Sequence, residues 1–93
     1  MLLALDQGTT STRAIAYDDA LAPLAEHRIP LPQHFPSPGW VEHAPEDIAG
    51  HAIACLRAAL AAAGGDAGRV AGIGITNQRE TTLLWDRTTG RPL

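Results

Sequence analysis

The sequence predicts an α/β domain with a mixed sheet, on three observations. Two short continuous apolar runs stand at residues 2–5 and 70–76, weakly alternating segments lie between residues 13 and 29, and an apolar stripe of helical spacing follows Pro45. Residues 2–5 end in Asp6 and Gly8, the pattern of a strand buried on both faces that stops at a glycine turn. Residues 13–18 alternate, with Ile15 and Tyr17 on one face and Ala14 and Ala16 on the other, and Asp18-Asp19 supplies turn chemistry. Residues 21–29 form a third strand that Pro23, without a backbone donor, pushes to a sheet edge. Three successive strands on short turns make an antiparallel meander.

Residues 30–44 carry four prolines and a glycine with no usable period, a long loop of the kind that is functional or ordered by its own packing. Pro45 suits the first helical position, and Glu46 and Asp47 complement the positive end of the helix dipole. Ile48, Ala52, Cys55, Leu56, Ala59 and Leu60 form one stripe, and Gly64-Gly65 ends the helix. After residues 70–76, a further strand is expected over 81–85, with residues 86–90 as a hairpin loop.

Composition narrows the function. The 93 residues suit one small domain, and 45% hydrophobic against 18% charged residues is a globular balance. A net charge of −3, from 10 acidic residues against seven arginines and no lysine, leaves no basic stripe for a nucleic-acid backbone. No apolar stretch approaches a membrane span, and Asp6 interrupts the N-terminus before any signal-peptide core could form, so the default expectation is a cytoplasmic protein. The single cysteine, Cys55, has no internal partner and falls on the apolar stripe as an inert thiol.

Three segments could carry chemistry. In Asp6-Gln7-Gly8-Thr9-Thr10-Ser11-Thr12-Arg13, one glycine and four hydroxyl residues can aim N–H and O–H groups at phosphate oxygens, Arg13 adds charge, and Asp6 could hold magnesium. The run lacks the lysine and glycine spacing of a P-loop, and a plain hairpin turn capped by Asp6 explains the same residues. In Thr76-Asn77-Gln78-Arg79-Glu80-Thr81-Thr82, Arg79 can donate to hydroxyl oxygens and Glu80 can accept from hydroxyl hydrogens, as a small polyol requires. Adjacent Arg and Glu are also commonplace on solvated surfaces, which the local pattern alone favours. Trp40, bracketed by prolines, is expected to plug the long loop onto the domain body in preference to stacking on a ligand. His34, Glu42 and His43 match no zinc spacing, and Gly72 and Gly74 lack the third glycine of a dinucleotide fingerprint.

Together, residues 4–14, Phe35 to His43 and Gly72 to Thr82 closely resemble the phosphate loop, the proline-glycine-tryptophan loop and the polyol loop of the glycerol kinase branch of the carbohydrate kinase family that also contains xylulokinase and gluconokinase. The resemblance spans nearly the whole chain. It implies a partial actin-like ATPase (ribonuclease H-like) domain, with residues 1–93 as the N-terminal part of the first of two lobes that bind ATP and Mg2+ between them. It further implies Thr9, Thr10, Ser11 and Arg13 as nucleotide-binding residues, Asp6 as the magnesium residue, Arg79 and Glu80 as glycerol-binding residues, and a homo-oligomeric whole protein. In the family a later aspartate is the general base, so no catalytic residue is expected in these 93 residues and the chain alone is expected to be inactive. Ala44 departs from the aspartate common in the family, a loss of a helix cap and of no chemistry. The alternatives are a kinase for another small polyol or sugar and a non-catalytic structural or binding module.

Overall fold

The computed structural model describes all 93 residues. The expected meander is present: β1 (Leu2–Gln7) pairs antiparallel with β2 (Ser11–Tyr17), and β2 pairs antiparallel with β3 (Pro23–Pro30). A long loop leads to α1 (Pro45–Ala62), a short 3-10 turn (Ala67–Arg69) and β4 (Gly72–Thr76). The sheet order is β3-β2-β1-β4, so β3 is an edge strand as Pro23 predicts. β4 lies parallel to β1, with Leu2 opposite Gly72 and Asp6 opposite Thr76.

Strand alternation decides which residues meet the helix. Leu3, Leu5, Thr12, Ala14 and Ala16 are buried on the face that α1 covers, while Asp6, Arg13 and Thr76 stand on the other. Leu5, Ala14, Cys55 and Ala59 form the centre of the core, with Ile29, Ala52 and Leu56 packed around them. Small side chains on both partners let the helix lie close to the sheet. Cys55 is fully buried and its thiol donates to the Thr12 carbonyl at 3.4 Å; burial pushes the thiol pKa up, so the inert reading holds.

Local chemistry explains the boundaries. The Asp18 carboxylate accepts from the N–H groups of Ala20 and Ala22, both at 2.9 Å, which holds Leu21 at a φ of 62° in the second turn. Gly64 and Gly65, at φ of 115° and 76°, end α1, and the Gly65 N–H reaches back to the Leu60 carbonyl at 2.8 Å. At the other end of α1, Ala44 makes no side-chain cap. No helix is long and apolar enough to cross a membrane.

Three expectations are corrected. β1 is buried on the helix side only, with Leu2 39% exposed on its other face. Residues 81–85 form no ladder strand: Trp85 makes a single bridge to Pro92, and the intervening residues close by the Gly90 N–H to the Asp86 carbonyl at 2.8 Å. A strand needs a neighbour, and this hairpin supplies one paired residue. Trp40 does not plug the loop either, being 60% exposed. The loop closes on its own backbone instead, through a reciprocal pair between His34 and Glu42 at 2.8 and 2.7 Å.

Ala44 has the extended backbone of a cap, φ −76° and ψ 122°, so Ala44→Asp can accept from the N–H groups of the first turn without strain. The substitution is expected to stabilise the chain by about 1 kcal/mol. Thermal unfolding should show a midpoint roughly 4–8 °C higher.

Candidate functional site

The site lies where β1 and β4 end side by side. Asp6 is the last outward-facing residue of β1, and its carboxylate, 53% exposed, accepts from the Thr76 hydroxyl at 3.2 Å and from Arg13 Nη2 at 3.4 Å. Arg13 also lies 3.8 Å from Glu26 across the sheet, so its guanidinium stands between two carboxylates. Exposed pairs of this kind contribute little to stability and can be exchanged for another anion.

Only Gly8, Thr9 and Thr10 lie outside the strands, in a tight turn closed by the Gly8 N–H on the Ser11 carbonyl at 3.0 Å. A side chain at Gly8 would meet that carbonyl at 3.1 Å, which explains the glycine. Thr9 and Thr10 are exposed and Ser11 half-buried. Thr12 is different: it is fully buried under α1, where its hydroxyl donates to Gln7 Oε1 at 3.0 Å. The fourth hydroxyl of the run therefore belongs to the core, because strand alternation turns it away from its neighbours.

Arg79 and Glu80 are exposed, and neither enters an ion pair. The segment that carries them is tied to the turn by Gln78, whose Nε2 donates to the Gly8 carbonyl at 3.3 Å and whose Oε1 accepts from the Thr81 hydroxyl. Glu80 and Thr9 line one groove of about 840 Å³, together with Gln33, His43 and Leu84. Arg79, Thr10, Ser11 and Arg13 lie outside its walls. Sequence reasoning passed over Gln33 and weighed His43 only as a metal ligand, yet both reach the Thr9 carbonyl, at 3.0 and 2.8 Å. Nothing in their spacing announces a contact across 24 and 34 residues.

No group of three or more His, Cys, Asp or Glu side chains converges to hold a metal. Mg2+ in phosphate-handling sites commonly takes one or two carboxylates, substrate phosphates and water. Asp6, a hard oxygen donor at the open end of β1 with the Thr76 hydroxyl beside it, fits that pattern.

The model of the N-terminal domain of the FGGY family of carbohydrate kinases matches residues 1–93. The chain belongs to that family. Among curated proteins it is 56% identical over 92 residues to a glycerol kinase of Rhodospirillum centenum, covering 99% of this chain and 18% of that protein. It is 58% identical over 92 residues to a glycerol kinase of Methylobacterium nodulans, covering 97% of this chain and again 18% of the relative. The chain thus spans less than a fifth of the length of these relatives. Among solved structures, glycerol kinase of Plasmodium falciparum with ADP matches at TM-score 0.83 and 34% identity, over 99% of this chain and 19% of that one. Xylulose kinase of Rhodospirillum rubrum matches at TM-score 0.89 and 33% identity, over 98% of this chain and 18% of that one. The sheet and helix of this FGGY chain are part of the actin-like ATPase fold, as the family resemblance implies.

The buried pair at the base of the turn can be tested. Thr12→Val preserves shape but leaves Gln7 Oε1 without its donor, and a buried acceptor left unsatisfied costs about 1–3 kcal/mol. Urea unfolding should show a lower midpoint with an unchanged slope.

Proposed function

We propose that this chain is the opening part of the N-terminal lobe of an ATP-dependent glycerol kinase, which phosphorylates glycerol to sn-glycerol 3-phosphate. The observation that carries the reading is the shared groove: Thr9, from the turn read as a phosphate loop, and Glu80, from the segment read as a polyol loop, line the same cleft. A kinase must bring those two functions within reach of one another. Identities of 51–58% to curated glycerol kinases favour glycerol over a sugar as the substrate. Fold alone does not separate them, since the xylulose kinase superposes as well as the glycerol kinase does.

In this reading the N–H and hydroxyl groups of Thr9, Thr10 and Ser11 receive the nucleotide phosphates. Arg13 exchanges one of its carboxylate partners for phosphate charge, and Asp6 holds Mg2+, which when bound neutralises charge on the phosphates. Arg79 donates to the oxygens of glycerol and Glu80 accepts from its hydroxyl hydrogens. None of these groups is a general base for the attacking hydroxyl. The whole protein supplies that base, completes the cleft and works as a homo-oligomer in the cytoplasm.

Two outcomes follow. The 93 residues alone, assayed with ATP, Mg2+ and glycerol, should give no turnover above background, because positioning and charge stabilisation need the complete cleft. In the full-length protein, Glu80→Ala should raise the glycerol KM roughly ten- to a hundred-fold, from the loss of a charge-assisted hydrogen bond of about 1.5–3 kcal/mol, with the ATP KM little changed. Normal glycerol kinetics in that variant would return Glu80 to an ordinary surface role, and an unaltered glycerol KM with faster turnover of another polyol would reassign the substrate.

A further inference from the structure

The turn between β1 and β2 is held by its carbonyl oxygens. The Gly8 carbonyl accepts from Gln7 Nε2 and Gln78 Nε2, each at 3.3 Å. The Thr9 carbonyl is met by Gln33 Nε2 at 3.0 Å and His43 Nε2 at 2.8 Å, and the Thr10 carbonyl accepts from the Leu31 N–H at 2.9 Å. A carbonyl has no proton to give, so His43 Nε2 carries the hydrogen in its pair. The N–H groups of Thr9 and Thr10, by contrast, donate to nothing in the chain. A trans peptide is planar, with its C=O and N–H directed to opposite sides. Holding the Thr9 carbonyl against the 31–44 loop therefore turns the Thr10 N–H away from that loop, and holding the Gly8 carbonyl against Gln7 and Gln78 turns the Thr9 N–H away from those two side chains.

We propose that His43, with Gln33 beside it, is a positioning residue for nucleotide binding: it fixes the Thr9–Thr10 peptide so that the Thr10 N–H is already aimed when a phosphate oxygen arrives. The proposal rests on the nucleotide reading of the turn given above. Its physical sense is preorganisation, since a donor fixed in advance needs no rearrangement when charge appears before it. Two exposed threonines in a two-residue turn would otherwise sample several peptide orientations, and the strands on either side fix only the ends. The long loop meets the turn by the Leu31 N–H at the Thr10 carbonyl and by two side-chain donors that converge on the Thr9 carbonyl.

The test compares His43→Phe, which keeps a planar ring without a donor, with His43→Gln, which restores an N–H donor of similar reach. In the full-length protein, His43→Phe should raise the ATP KM about three- to tenfold while the glycerol KM stays within about twofold, and His43→Gln should recover most of the loss. A second readout needs no nucleotide: hydrogen exchange at the Leu31 amide, bonded to the Thr10 carbonyl, should quicken in His43→Phe and slow again in His43→Gln. Should His43→Phe fail to fold, Gln33→Met removes the other donor and is read in the same way. Quickened Leu31 exchange with an unaltered ATP KM overturns the positioning role while leaving the kinase reading intact. A wild-type protein that uses no ATP overturns the kinase reading and the proposal with it; one that uses ATP on a different polyol leaves the His43 comparison decisive on that substrate.

Discussion

Asp6 and Thr76 touch across 70 residues of sequence because β4 runs parallel to β1. That pairing places the carboxyl ends of both strands at one edge of the sheet, where ligands of open α/β sheets usually sit. Had β4 run antiparallel, the same residues would lie at opposite ends, and Gln78 could not reach the Gly8 carbonyl. The parallel arrangement in turn requires a long connection. Here it consists of β2, β3, the proline-rich loop and α1, which is why a loop with no period of its own ends up walling the groove.

The helix is the second part of that connection, and its composition suits its place. α1 meets the sheet through Cys55 and Ala59 against Leu5 and Ala14, a close approach that larger side chains would prevent. Closeness has a consequence at the site. It seals Thr12 and Gln7 beneath the turn as a mutually satisfied pair, so the turn rests on a buried polar support rather than on water. The groups above that support are free to face outward.

Much of this was legible in the sequence because it rests on local rules. Alternation gave the meander, Pro23 marked β3 as an edge, Pro45 and Gly64-Gly65 bracketed α1, and the helical stripe placed Cys55 in the core. The failures are of another kind. Leu83, Leu84 and Trp85 have the composition of a strand, but a strand exists only with a partner, and composition is silent about partners. Trp40, bracketed by prolines, reads as a plug for the loop, whereas the His34–Glu42 backbone pair already closes it. By composition Thr12 is one of four hydroxyls in the run, whereas the β2 register turns it inward. Spacing tests His43 only as a zinc ligand, and it cannot show that Gln33 and His43 share one carbonyl oxygen far away in sequence.

The same pairing that builds the site also leaves β4 with one side unpaired at the end of the sheet. α1 covers the other three strands and stops short of it, so Ile73 and Ile75, both on the helix side of the sheet, are 52% and 67% exposed. An open row of backbone donors and acceptors beside bare β-branched side chains is a template for intermolecular strand addition. Neither proline nor charge guards Gly72–Thr76 against it. Of the two sheet edges, β4 is therefore the one that presents an unguarded face to an added strand, whereas β3 carries Pro23 and charged side chains.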